Sequence, residues 1–184
     1  MRRLSQAIKQ HTETALGAVR QAFRGTLNLV KSADNIQKVQ VSGLADETLQ
    51  DVEFMQQFGL TSVPPVGTQV VVLPMGGATT HSIVIATENG SFRVKNLQSG
   101  EVAVYDESGS SIILKKGRLI EIDCDVFKIN ATSKVEIASP LVETSKAFEA
   151  GGDITTKSDV KAGAISLREH KHTGDSGGTT GQPQ

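Results

Sequence analysis

Aromatic residues are scarce in this chain of 184 residues: they make up 4% of it, with no tryptophan and a single tyrosine, Tyr105. Apolar residues of all kinds reach only 38%. One compact globule of this length would need more bulk for its interior. The chain is therefore expected either to be elongated or to share its core with other copies of itself.

Neither sign of charge dominates, since the formal net charge is −1. No overall field therefore attracts nucleic acid or an anionic membrane surface. Apolar runs are short, and none approaches the ~20 residues that a membrane helix needs. The start, MRRLSQAIKQ, has arginines but no apolar h-region, so no secretory signal is expected. These absences predict a soluble chain made in the cytoplasm without an obvious anchor.

The chain has one cysteine, Cys124, which excludes an intrachain disulfide framework. Cys124 lies in IEIDCDVF, where Ile120, Ile122 and Val126 share its side of a strand and acidic residues occupy the other side. The alternation predicts a buried, inert thiol.

Residues 1–24 form the first segment, and a helix is predicted over residues 3–24. Apolar side chains recur at steps of three to four residues, and Gly25 is interpreted as the stop. The apolar face is narrow, so the helix is expected to dock on a partner or on copies of itself rather than on a membrane. The side chains of that face are Leu4, Ile8, Ala15, Val19 and Phe23.

Five short β-branched segments follow within residues 25–90, each bounded by Gly, Pro, Asn or Asp. They are TLNLV, KVQVSGL, VEFMQQFG, TQVVVLPM and HSIVIAT. This texture predicts a small closed β-barrel of the OB type. An OB barrel that binds single-stranded nucleic acid needs a basic groove with stacking aromatics. The aromatics here are only Phe54 and Phe58, so no nucleic-acid partner is expected and the barrel is interpreted as an adaptor collar.

Residues 91–168 contain many very short strand-like segments with a loose apolar repeat. The repeat positions are spaced at intervals that shrink from eight residues to five. One buried isoleucine contributes roughly 1.5–3 kcal/mol, whereas ordering each residue costs about 1–2 kcal/mol. A single chain therefore buries too little, and three chains around one axis would supply the missing walls. The repeat positions are Phe127, Val135, Val142, Phe148, Ile154, Val160 and Ile165, and the inward residues expected in the shaft include Ile120, Ile122, Ile129, Val135 and Ile137.

The stretch LREHKHTGDSGG, residues 167–178, carries two competing signals. In the first, His170 and His172 would lie on one side of a strand, so three chains would offer six imidazole nitrogens. Six nitrogens suit octahedral iron(II), cobalt or nickel, and disfavour structural zinc, which prefers four ligands. Such a closed cage leaves no open position for a substrate, so it predicts a staple rather than a catalyst. The alternative is that both histidines are simply exposed in a glycine-rich tail.

In the second signal, GDSGG surrounds Ser176 as it does the nucleophile of trypsin-like proteases. Such an enzyme needs His and Asp partners on other strands, an oxyanion hole and a substantial barrel after the serine. Only six residues follow Gly178. The glycines are therefore interpreted as a sharp turn, and a serine protease is kept only as an unfavoured alternative.

Two long stretches resemble a known family. VEFMQQFGLTSVPPVGTQVVVLPMGGATTHSIVIAT and LQSGEVAVYDESGSSIILKKGRLIEI resemble the Mu-type phage baseplate spikes, the baseplate assembly protein V group. DVKAGAISLREHKHTGDSGG resembles the tip of contractile-tail central spikes.

The resemblance implies an all-β homotrimer with an N-terminal helix. Its OB-fold collar would occupy residues 25–90, an intertwined triple-stranded β-helix residues 91–168, and a metal-capped apex and Gly-rich tail residues 169–184. His170 and His172 match the motif that binds one iron ion per trimer through six histidines of three chains.

The same resemblance implies a location and partners. The protein would be a non-enzymatic spike on the virion baseplate, mounted on hub and tail-tube proteins and pushed through the host outer membrane. An adaptor or assembly protein that uses the OB barrel for binding is the alternative.

Overall fold

A computed structural model describes Gln6, residues 19–174 and residues 176–181. By its internal contacts the chain divides into two units, Met1–Ile129 and Asn130–Gln184. The first unit contains a barrel and a three-stranded sheet, and the second contains a short hairpin. Among the described residues, no helix is long and apolar enough to span a membrane.

The β-branched segments form five strands: β1 Phe23–Lys31, β2 Lys38–Ser42, β3 Thr48–Phe54, β4 Gln69–Pro74 and β5 Ser82–Glu88. They form a closed barrel with the strand order β1-β2-β3-β5-β4. Strands β1 and β4 pair antiparallel and close the barrel, while β3 and β5 pair in parallel. The prediction of a closed five-stranded barrel is confirmed.

The barrel interior is built by alternation along the strands. In β2 the side chains of Val39 and Val41 point inward, and in β4 those of Val70 and Val72 do the same, all nearly inaccessible to water. Successive strand residues face opposite sides, so every second residue enters the interior. The barrel therefore has a core of its own; its other buried apolar side chains are Leu27, Leu49, Val52, Phe54 and Val84.

The helix predicted over residues 3–24 is wrong at its C-terminal end. Residues 19–22 are not helical, and Phe23 already lies in β1, opposite Val72 of β4. Its spacing from Val19 imitates a helix, but strand pairing overrides that local preference. Gln6 is helical, and the rest of the predicted helix lies outside the described residues.

Gly25 does not stop a helix; it lies inside β1. A Cβ atom there would stand 2.8 Å from the carbonyl oxygen of Ser42 and would overlap the side chain of Val41. Only glycine allows this close approach between β1 and β2.

The loops of the barrel lie largely where proline and glycine were expected. Pro64 and Pro65 lie in the loop between β3 and β4, and Gly76 lies in a 3₁₀ turn, Met75–Gly77, which is followed by a second turn at Thr79–His81. The third strand is displaced from its prediction, since it begins at Thr48 and ends at Phe54. The sequence MQQFG, predicted as strand, belongs to the loop.

After the barrel, three antiparallel strands form a meander: β6 Val102–Tyr105, β7 Ser111–Lys115 and β8 Leu119–Asp123. The register aligns apolar side chains across all three strands, because Ile112 and Leu114 of β7 each have an apolar partner on both sides. We call this set the apolar sheet face, and its members are 41–61% exposed in the single chain. It consists of Val102, Val104, Ile112, Leu114, Ile120 and Ile122.

Between Asp123 and Lys161 the chain forms no strand with itself, and residues 116–158 are exposed throughout. The segments FKIN, KVEIA, LVETS and DITTKSDV therefore do not pair within one chain, and the triple-stranded β-helix stays a prediction. Cys124 is exposed in the single chain, so the prediction of a buried thiol is wrong at this level. Its strand ends at Asp123, which leaves no second layer within the chain to cover the thiol.

The second unit contains a hairpin of two short strands, β9 Lys161–Ala162 and β10 Ile165–Ser166. The turn between them places Gly163 at a φ of 62°, a left-handed conformation that glycine adopts without strain. This hairpin leads directly into the histidine pair.

Candidate metal centre

His170 is held by the turn that follows β10. Its backbone N–H donates to the carbonyl oxygen of Ser166 at 3.1 Å. Its ring Nδ1 lies 2.9 Å from the same oxygen and 3.2 Å from the carbonyl oxygen of Leu167. A carbonyl can only accept a hydrogen bond, so Nδ1 carries the proton and donates. The lone pair therefore resides on Nε2, which is the atom left for a metal.

His172 lies next to it, with the two ring centroids 5.1 Å apart and the ring planes at 85°. Its backbone N–H donates to Oγ1 of Thr180 at 3.0 Å, and its carbonyl accepts from the N–H of Thr180 at 2.9 Å. The returning chain thus fixes the backbone of His172. The two predicted ligands are brought together, but by a turn and a return rather than by one strand, since neither residue lies in a described strand.

The GDSGG string forms that return. Thr173 and Thr179 pair in an isolated bridge, the N–H of Gly174 donates to the carbonyl of Gly178 at 2.6 Å, and Gly177 has a φ of 79°. Asp175 lies outside the described residues. The proton on Nδ1 of His170 is directed to backbone carbonyls, whereas a catalytic histidine would direct it to a carboxylate. The string therefore acts as the turn that the sequence predicted.

Two further residues support the turn, and sequence reasoning missed both. The hydroxyl of Ser166 accepts from the N–H of Glu169 at 3.0 Å, and a carboxylate oxygen of Asp159 accepts from the N–H of Arg168 at 3.2 Å. A hydrogen bond from the Ser166 hydroxyl, together with backbone N–H groups, holds the pKa of Asp159 below its ordinary value. These bonds hold the backbone of the turn in which the Ser166 carbonyl accepts the hydrogen bond from Nδ1 of His170.

One chain supplies two ligands for a metal. Within residues 19–174 and 176–181 there is no group of three or more His, Cys, Asp or Glu side chains that could hold an ion. Two imidazoles are too few for a tight site, whether tetrahedral or octahedral. The donor set fits a metal only if other chains add to it.

Comparison with known proteins matches both ends of this architecture. Residues 24–91, which contain the barrel, match the family described as Bacteriophage Mu Gp45, N-terminal. Residues 164–184, which contain the two histidines, match the GpV Apex motif. The barrel region is thus similar to the N-terminal part of the phage Mu Gp45 family, and the histidine-bearing end is similar to the GpV apex.

Two curated relatives extend the similarity to most of this chain. The baseplate puncturing device gp45 of Escherichia phage Mu is 29% identical over 172 residues, which cover 88% of this chain and 87% of the relative. A Mu-like prophage FluMu protein gp45 of Haemophilus influenzae is 25% identical over 155 residues, covering 81% and 84%. The similarity therefore includes the exposed segment between the barrel and the histidines.

Proposed function

We propose that this chain is the central spike of a contractile-tail baseplate, a virion component that pierces the host outer membrane. Its relative in Escherichia phage Mu is named a baseplate puncturing device, and the similarity covers most of both chains. Along this sequence the barrel match comes first and the apex match follows it. The function is mechanical, and no enzymatic role is proposed.

A homotrimer is the second part of the proposal, and the exposed apolar series is the observation that carries it. In the single chain every large apolar side chain from Val126 to Leu167 is exposed. Exposed patches of this extent mark an interaction surface rather than a solvent face. A triple-stranded β-helix would cover each such side chain with its two copies. The series comprises Val126, Phe127, Ile129, Val135, Ile137, Leu141, Val142, Phe148, Ile154, Val160, Ile165 and Leu167.

The barrel is proposed to be an OB-fold collar that docks on hub and tail-tube proteins. The strand order β1-β2-β3-β5-β4 with a parallel β3–β5 pair supports the OB type. Because the barrel buries its own core, it provides a stable body next to the part that needs other copies. No nucleic-acid role is proposed, because single-strand binding needs a basic groove with several stacking aromatics. Residues 25–90 contain only Phe54, which is buried, and Phe58.

An iron ion is proposed to be bound by His170 and His172 of each of the three chains. Residue chemistry alone indicates an octahedral divalent metal, and the choice of iron depends on the family resemblance. The proton on Nδ1 of His170 leaves Nε2 free to bind, and the two rings are already adjacent. The ion supplies coordinate bonds that tie the chain ends together. Ser166 and Asp159 then act by holding the turn that orients the first imidazole.

A device that is pushed through a membrane must resist unfolding from its leading end. Strand ends expose unpaired backbone groups and fray first. A closed metal site at that end would oppose fraying while offering no open position for catalysis. Contact with the outer membrane would then be transient and sequence-independent.

The experiment that tests the proposal combines solution mass with elemental analysis of the same full-length sample. We expect a three-chain mass and about one metal ion per three chains, the ratio set by six imidazole ligands. A single-chain mass would refute the spike, and a trimer without metal after metal-replete expression would refute the cap alone.

A double variant, His170→Ala with His172→Ala, tests whether the metal is needed for the trimer. We expect loss of the metal with the three-chain mass retained, because the apolar series lies upstream of the histidines. Lys171→Ala, between the two ligands, is the matched control and should keep the metal. A double variant with a single-chain mass would show that the metal, and not the apolar series alone, is required for the trimer.

A further inference from the structure

Phe58 is the most exposed large apolar side chain of the described residues, at 107% of its reference area. It lies in the loop between β3 and β4, next to Gly59, which has a φ of 87°. Exposed apolar neighbours on the same loop extend the patch. They are Met55, Leu60, Val63 and Val66.

The loop that presents Phe58 is tied at its base. The side-chain amide of Gln56 spans it, since Oε1 accepts from the N–H of Ser62 at 2.7 Å and Nε2 donates to the carbonyl of Ser62 at 3.2 Å. Nε2 of Gln37 donates to Oγ1 of Thr61 at 3.3 Å. A preorganised loop loses little conformational entropy on binding. A fully exposed aromatic ring on a tied loop is the arrangement expected of an interface anchor.

The same chain carries a cavity of about 590 Å³ that Phe58 does not enter. Its apolar walls come from the end of the loop, Pro64 and Pro65, and from Phe92 and Tyr105. Acidic side chains, Glu88, Asp106 and Glu107, also line it. Prolines and aromatic rings form the kind of surface on which an uncharged ring packs.

The cavity lies beside the apolar sheet face, whose exposed side chains the proposed trimer would also cover. Tyr105 and Asp106 also line a second depression whose walls include Ile112 and Ile122 of the apolar sheet face. A copy that covers the apolar sheet face therefore comes close to the cavity as well. We therefore take a second copy of this chain as the occupant of the cavity.

We propose that Phe58 of one copy enters this cavity in the next copy, so that three copies close a ring at the level of the barrel. The cavity is lined by residues 61–65 of the same loop, but Phe58 does not line it. Two distinct surfaces of one chain that bind each other form a head-to-tail contact, which gives a closed ring when the rotation is threefold. The inference rests on the proposed trimer and adds a specific inter-barrel contact to it.

Crosslinking of the full chain tests the contact. In a Cys124→Ser background, Phe58→Cys is combined with Glu107→Cys, and a short bismaleimide is added to the native protein. We expect denaturing gels to show products of two-chain and three-chain mass. The matched control combines Phe58→Cys with Thr80→Cys, an exposed position on the 3₁₀ turn outside the cavity, and should stay at single-chain mass.

A second readout needs one substitution only. In the Cys124→Ser background, the cysteine of Phe58→Cys should react with a maleimide much more slowly in the native assembly than after denaturation. Equal labelling would overturn the inference and leave the loop free for another baseplate protein.

The outcomes separate this inference from the proposed function. If the unmodified protein has a single-chain mass, the proposed trimer is refuted, and the proposed contact is refuted with it. If the protein is trimeric but Phe58→Cys links to Thr80→Cys as well as to Glu107→Cys, or to neither, the trimer stands and the contact between Phe58 and the cavity is refuted.

Discussion

At the residue scale, Gly25 is a position where one methyl group decides the packing of β1. We expect Gly25→Ala to destabilise the barrel by about 1–3 kcal/mol, the usual cost of overpacking, because its Cβ would press on the backbone of Ser42. Denaturant unfolding of the full chain measures the change. Gly90→Ala is the control, since no atom lies within 4 Å of its added Cβ; an equal loss there would show that the Gly25 effect is not steric.

Arg20 and Glu47 provide a pH-dependent anchor for the segment that precedes β1. The guanidinium donates to the carboxylate at 2.7 Å and to Thr79 at 3.1 Å, and it lies 3.8 Å from the ring centre of Phe23. The hydrogen bond from Arg20 holds the pKa of Glu47 below its ordinary value of 4.5, and it raises the pKa of Arg20.

A depressed carboxyl pKa means that the ionised form stabilises the folded chain. The contribution is fully present above pH 4.5, the ordinary value, and is lost as the pH falls through the lower pKa of the folded state. We therefore expect Glu47→Gln to melt earlier than the parent protein at neutral pH, with the difference vanishing in acid. Thermal melts of both proteins across that range measure it, and a constant difference would exclude the ion pair as the cause.

At the element scale, a substitution by lysine is expected to have opposite effects on the two faces of β8. Ile122 lies on the apolar sheet face, whereas Asp123 follows it on the other side of the strand. We expect Ile122→Lys to abolish the three-chain mass, because three buried ammonium groups would face each other without partners. Asp123→Lys should leave the mass unchanged. Light scattering measures both, and trimers in both variants would mean that the face is not the interface.

The strands of the barrel could be predicted because each is a β-branched run that alternates inside and outside. The start of β3 could not, because Thr48–Gln50 has a mixed composition and Asp51 adopts a φ of 53° that breaks the alternation. The end of the N-terminal helix was mispredicted because the spacing of Val19 and Phe23 suits a helix. Local spacing carries no information about the pairing of Phe23 with Val72.

The candidate site, too, could be predicted only in part from the sequence. The HxH spacing of His170 and His172 was sufficient to propose them as metal ligands, which stays a prediction. It did not reveal what orients them, because the acceptor for Nδ1 of His170 is the backbone carbonyl of Ser166. Backbone acceptors have no signature in a sequence, so the turn had to be seen in the structure. The β-helix stays a prediction of a different kind, since between Asp123 and Lys161 the chain forms no strand with itself.

At the scale of the whole molecule, the distribution of buried and exposed apolar side chains predicts two kinds of stability. The barrel has nine buried apolar side chains and needs no partner for them. The segment from residue 124 to 158 is exposed in the single chain, and in the proposed trimer it would gain its stability through the other copies. Unfolding of an assembly depends on protein concentration, whereas unfolding of an independent core does not.

We therefore expect two transitions when the full-length protein is melted over a range of concentrations. One should move to higher temperature as the concentration rises, and the other, that of the barrel, should stay fixed. Val72→Ala, a truncation in the barrel core, should lower only the fixed transition, by an amount that corresponds to about 1–3 kcal/mol. Ile137→Ala, in the exposed segment, should lower only the moving one. A single transition that is independent of concentration and shifted by both variants would mean that one chain folds as one cooperative unit, and the trimeric spike would then have no thermodynamic basis.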